Sequence, residues 1–206
     1  MPSVPIPPTT PVVVQPIPVR PRADYHGGMV RTVYYASVSL DGFTADDAAG
    51  SAEDHRFRVA ESPANAGAVV MGAGTYARLQ RQVGKEGTDA WGCPPGPVWV
   101  YTHHEFPGVP GADIMFLRGP VGEFAGDISD SANGGDVWLR GADLAGQYLH
   151  HGLLDELRLV VHPVLLGRGR PLLPLAAERP ALLLSSRQSA DGSVRLCYGV
   201  GAAGGA

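Results

Sequence analysis

Cysteine is nearly absent from this chain: Cys93 and Cys197 are the two in 206 residues. That excludes a disulfide framework, and the two do not have metal-site spacing, so a reducing, cytoplasmic setting is expected. No apolar run approaches the roughly 18 residues of a membrane span. No basic start followed by an apolar block marks a secretory signal. The formal net charge of −4 leaves no basic excess for nucleic acid or an acidic membrane. Histidine occurs in two adjacent pairs, His103-His104 and His150-His151. Neighbours diverge on a helix and face opposite ways on a strand, so neither pair is a natural clamp and no metal is expected. There is no G-x-S-x-G elbow, no P-loop and no Cys–His pairing with catalytic spacing.

What remains is a chain with the length for one good-sized domain and a tail, and 44% hydrophobic residues, normal for a packed core. Eight of the nineteen prolines fall between Pro2 and Pro21, so residues 1–28 read as an extended tail, passive or able to dock in an aromatic groove. The domain is expected over 29–200, with a Gly/Ala tail at 201–206. Val30–Leu40 reads as the first strand, ended by Ser39-Leu40-Asp41-Gly42. Ser51 with Asp54 signals a helix running to about Glu61. Ala68–Met71 is a short buried strand turned by Gly72-Ala73-Gly74-Thr75 into a helix from Tyr76 to about Val83. A Gly/Pro-rich loop at 84–97 leads to strands at Val98–Thr102 and Asp113–Leu117, and a weak helix falls in 120–132. Leu182–Ser186 and Val194–Tyr198 close the chain as strands around an Asp191-Gly192 turn. Strands alternate with helices up to Leu157 and then follow one another. The pattern is α/β: three layers, a mostly parallel central sheet, antiparallel strands at one edge.

The segment from Asp136 to Gly169 organises the chain. Val137–Leu139 is a strand, Arg140-Gly141-Ala142 a turn, and Leu144, Tyr148 and Leu149 share one helical face. Gly152 stops the helix and Leu157–Val164 forms the next strand. A strand feeding a helix through a glycine turn aims backbone N–H groups at whatever lies above, which suits a pyrophosphate, although an ordinary βαβ unit has the same pattern. In its GLLDEL (Gly152–Leu157) and HPVLLGRGRPL (His162–Leu172) segments the chain resembles the dihydrofolate-reductase fold, in the branch of the C-terminal reductase domain of riboflavin-biosynthesis deaminase-reductases. The resemblance covers about residues 30–200. The deaminase zinc signature of bifunctional relatives is missing, so the resemblance is to the reductase half alone.

The resemblance implies a set of site residues. Gly72, Ala73, Gly74 and Thr75 match a segment whose amides and threonine hydroxyl face cofactor phosphates. The same residues fit a dinucleotide fingerprint through Ala77, but the first acid beyond the next strand, Glu105, lies too far along. Ala36 matches a small residue whose backbone meets the nicotinamide carboxamide. Thr102 and His103 match the strand end near the adenosine half, with Arg118 as a further charge. Arg140, Gly141, Ala142, Asp143 and Leu144 match the second glycine turn, although relatives often have two glycines where this chain has Arg140 first. The arginine can pair with the pyrophosphate, or the turn can be remodelled and binding weakened. Asp41, the catalytic candidate, orients or protonates substrate if a desolvated cleft raises its pKa, and Gly42 lets the chain pass close.

The resemblance thus implies a cytoplasmic NADPH-dependent oxidoreductase, with NADH or a flavin left open. It would reduce C=N or C=O in a small pterin- or pyrimidine-like heterocycle, as dihydrofolate reductase or an aminouracil reductase does. A homodimer through the closing strands is expected. The alternative is a non-catalytic nucleotide- or partner-binding protein with a degenerate cofactor turn.

Overall fold

The computed structural model describes residues 30–44 and 65–200. The tail at 1–28, the helix expected from Ser51 to about Glu61 and the end at 201–206 lie outside the described residues. Among the described residues ten strands form one sheet, with the path β5-β4-β3-β6-β1-β7-β10-β9. They are β1 (Thr32–Ser39), β2 (Phe43–Thr44), β3 (Ala66–Gly72), β4 (Val98–Tyr101), β5 (Ile114–Leu117), β6 (Asp136–Arg140), β7 (Glu156–His162), β8 (Arg170–Pro171), β9 (Leu182–Gln188) and β10 (Val194–Gly199). From β5 to β7 all pairings are parallel, while β10 is antiparallel to both β7 and β9. β2 joins β1 antiparallel at Val38↔Thr44 and carries β8 on its other edge.

The central strands are nearly continuous apolar runs because both of their faces are covered. Helix α1 (Ala73–Glu86) lies on one face, where Tyr76 and Leu79 pack with Val69, Met71, Val98, Val100 and Trp138. Helices α2 (Ala125–Ser131) and α3 (Ala142–His150) lie on the other, where Ile128, Leu144, Tyr148 and Leu149 meet Tyr34, Ala36, Val38, Leu139 and Leu159. This is the expected three-layer α/β arrangement with an antiparallel edge.

At the amino ends of the strands, opposite the helix starts, four charges lock three strands together. Arg31, just before β1, binds Asp136 at the start of β6 and Glu156 at the start of β7. Arg158 reaches the same two carboxylates at 3.3 and 2.8 Å. Asp136 is 1% exposed, so only its two arginine partners make its charge tolerable inside the protein.

Several boundaries move. The first helix begins at Ala73, directly after β3, so Gly74 and Thr75 lie in its first turn and not in a loop before it. It runs on to Glu86, and the segment read as loop also holds a 3₁₀ turn at Thr88–Trp91. β4 stops at Tyr101, because the Thr102 hydroxyl bonds both backbone groups of His104 and bends the chain away. The two-residue strands β2 and β8 are too short to leave a periodic signal.

Candidate cofactor cleft

In a parallel sheet all the carboxyl ends of the strands meet one edge, and the helices that follow start there. β3 and β6 are neighbours, with Met71 opposite Arg140 in register. One residue further on, Gly72 caps α1 and Gly141 caps α3. Neither cap supplies a side-chain bond, and the first-turn amides of a helix have no intrahelical partner. Two positive helix ends therefore point at one place. Gly141 has φ +102, and a Cβ there would stand 2.8 Å from Thr75 Oγ1. The two predicted glycine turns are thus one structure, and only glycine lets them close on each other.

Of the residues expected here, Gly72, Ala73, Gly74 and Thr75 form one side. Gly141, the Ala142 backbone and Asp143 form the other. Thr75 is the third residue of α1 and not its cap. Ala142 and Leu144 send their side chains into the core, so only their backbone can face a ligand. Asp143 brings a carboxylate beside the helix starts, where Arg170 holds it at 3.1 Å. Beside this corner β1 pairs with β6 only at Thr32, Val33 and Tyr34, while β2 joins at Val38. Ala36 lies in the gap between those pairings, its side chain in the core.

Arg140, at the end of β6, has its side chain engaged by neighbours within the protein. Its guanidinium lies 5.0 Å above the Trp138 ring and donates to the Gly92 carbonyl at 3.3 Å and to Cys93 Sγ at 3.4 Å. The arginine ties the turn between β6 and α3 to the loop after α1. Burial raises the Cys93 thiol pKa while the Arg140 charge opposes the rise.

Thr102 is buried, and its hydroxyl is used on His104 as both donor and acceptor. Its backbone N–H goes to the Leu117 carbonyl at 2.9 Å, which brings Arg118 next to it across β4 and β5. His103 and Arg118 are both exposed at this strand end.

Among the described residues Asp41 is exposed, and the rise that desolvation gives its pKa is outweighed by hydrogen bonds. Ser39 Oγ donates to it, the Leu166 amide donates at 3.0 Å and the Gly167 amide at 2.6 Å. The Ser39 hydroxyl first, then the Leu166 amide, hold its pKa down at about 2. These hydrogen bonds favour its charged form. It fastens the segment after β7 onto the end of β1. Gly42 (φ +84) completes the turn, and its carbonyl accepts from the Leu172 amide at 2.9 Å. Sequence reading missed this strap, because Asp41 and Gly167 stand 126 residues apart with no shared pattern. His162, the first residue of the HPVLLGRGRPL segment, is in register with Ser39 at the end of β7, and burial lowers its pKa against the pull of Asp191.

Comparison with known proteins fits this geometry. Residues 130–195 match the family described as the RibD C-terminal domain. The uncharacterized protein YyaP of Bacillus subtilis is 40% identical over 67 residues, 32% of this chain and 36% of that protein. The matched part thus spans about a third of the curated relative. Among solved structures, a protein ascribed to riboflavin biosynthesis from Shewanella sp. PV-4 superposes with TM-score 0.64 at 19% identity, covering 83% of this chain and 99% of the other. Dihydrofolate reductase from Enterococcus faecalis, complexed with NADP(H), gives TM-score 0.53 at 13% identity over 82% and 96% of the two chains. The fold is therefore dihydrofolate-reductase-like, and through residues 130–195 and its fold neighbours the chain is similar to the RibD C-terminal-domain family.

Proposed function

We propose that this protein is a nicotinamide-dependent reductase that prefers NADPH and acts on a C=N or C=O of a small heterocycle. The observation that carries the reading is the contact of Gly141 with Thr75, which places two uncapped helix starts around a single cradle that any side chain at 141 would fill. The residues present fit a dinucleotide. First-turn amides of α1 and α3 and the Thr75 hydroxyl would hold the pyrophosphate. The gap at Ala36 offers backbone groups to a carboxamide. Arg118 and His103 are the groups available for a 2′-phosphate.

When bound, the nicotinamide supplies hydride to the acceptor carbon. The heteroatom then takes a proton, which in this reading comes from solvent, since Asp41 stays ionised. The chain's part is to orient. Asp41 keeps the strap at 166–167 against β1, and the Arg170–Asp143 pair removes a stray charge from the pyrophosphate corner. Asp41 thus becomes a positioning residue. The reading of a non-catalytic binder with a decayed turn gains no support from Arg140, whose guanidinium lies on Trp138 and Gly92. A second copy of the chain is proposed as partner, through β9, where Leu182, Leu183 and Leu184 are 45%, 50% and 51% exposed on a sheet edge.

The test is binding of NADPH, followed by its fluorescence, to the wild type and to Gly141→Val. The account expects saturable binding in the first and its loss in the second, with both proteins folded by circular dichroism. Equal binding in both would remove the cradle from the reading.

A further inference from the structure

Outside the cofactor corner, the chain between β8 and β9 runs down the outer side of α3. It crosses the helix at Gly146, where an added Cβ would meet Pro174 at 3.2 Å. Below that crossing it stands off the helix and leaves a groove of about 340 Å³. That is within the usual range for a small-molecule pocket. Pro174, Leu175, Ala176 and Ala177 make one wall and α3 makes the other.

Among the polar side chains of this groove, Gln147 and the two imidazoles can donate or accept, and Arg179 only donates. Asp143, the acceptor at its upper end, is engaged by Arg170 at 3.1 Å. Gln147, His150 and His151 line the helix side, and the two imidazoles rest edge to face with centroids 5.3 Å apart. Arg179 lines the groove half-buried, with no ion pair or hydrogen bond among the described residues. A guanidinium stays charged at any physiological pH and carries five donors. Its full charge outweighs the roughly half charge at the carboxyl end of α3. An apolar wall beside an unpaired arginine is complementary to a molecule with an apolar body and a single negative charge.

We propose that this groove is a binding site for a small apolar anion, such as an aromatic or short-chain carboxylate or sulfonate, with Arg179 as its charge partner. The groove adjoins the cofactor cradle at Asp143, while its charge partner Arg179 lies outside the cradle, and the proposal does not depend on the reductase reading.

The test uses the full chain and the fluorescent probe 8-anilinonaphthalene-1-sulfonate. A single saturable site is expected. Arg179→Ala should weaken binding about tenfold, the loss of one charge-assisted contact, and Ala177→Trp should abolish it by filling the groove. The uncharged analogue N-phenyl-1-naphthylamine should bind about tenfold more weakly than the sulfonate. Thermal midpoints of both variants, measured in parallel, establish that they are folded. Should Ala177→Trp fail that check, Arg179→Ala and the uncharged analogue decide alone. Absence of saturable binding, unchanged affinity in Arg179→Ala, or equal binding of the uncharged analogue would each overturn the proposal.

Discussion

Asp41 illustrates how much a residue's neighbours decide. An Asp-Gly pair at the end of a strand has the sequence of both a turn and a catalytic acid. Three donors, one of them 126 positions away, make it a strong acid that holds a loop. Its pKa falls from 3.8 to about 2, so its contribution is present above the unfolded value and is lost as pH drops through about 4 to 2. Asp41→Asn should raise the hydrogen exchange of the Leu166 and Gly167 amides about tenfold at neutral pH while leaving NADPH affinity near wild type. Unchanged exchange would show that the clasp is not maintained in solution. Arg118 belongs to the same scale. Arg118→Ala should reduce the preference for NADPH over NADH about tenfold, the usual worth of one charge-assisted bond at an exposed site. An unaltered ratio of the two affinities would take Arg118 out of cofactor recognition.

At the scale of elements, the sheet was legible because its strands are buried on both faces and so read as continuous Val, Ala, Tyr and Leu runs. The turn between β6 and α3 was legible for a similar reason: Gly141 is the single residue type that tolerates φ +102 there. Less visible was the start of α1. Glycine at position 74 suggested a loop, yet the chain turns helical at once because Gly72 already supplies the extended cap. The Thr102 hydroxyl satisfies its own turn, a local use that resembles an exposed binding group in one dimension. Nor does any periodicity announce the joint of Arg31, Asp136, Glu156 and Arg158, whose members lie on three separate segments. Asp136→Ala should cost about 2 kcal/mol. That lies below the roughly 3–5 kcal/mol of a fully buried pair, because both arginines retain solvent access. A fall in melting temperature of about 4–8 °C by calorimetry is the expected reading. A change within error would mean that the strand ends hold without it.

For the whole molecule, two edges carry the functional reading. The carboxyl edge of the parallel strands holds the cradle, and the exposed edge at β9 offers the surface proposed for a second copy. Leu183→Arg should move the protein to monomer mass in light scattering at micromolar concentration, with NADPH binding intact. A wild type that is itself monomeric would remove the dimer and leave the cradle untouched. The central claim is that α1 and α3 jointly hold a dinucleotide, and a thermal-shift titration with NADPH tests it most directly. A ligand that binds only the folded state stabilises it by about 2.7 kcal/mol at a hundred times its dissociation constant. For a domain of this size that is a rise of about 5–10 °C. The account predicts that rise with NADPH, a smaller one with NADH at the same concentration, and none with either in Gly141→Val. No shift with NADPH in the wild type would contradict the reductase reading and leave the protein a dihydrofolate-reductase-like fold without its cofactor.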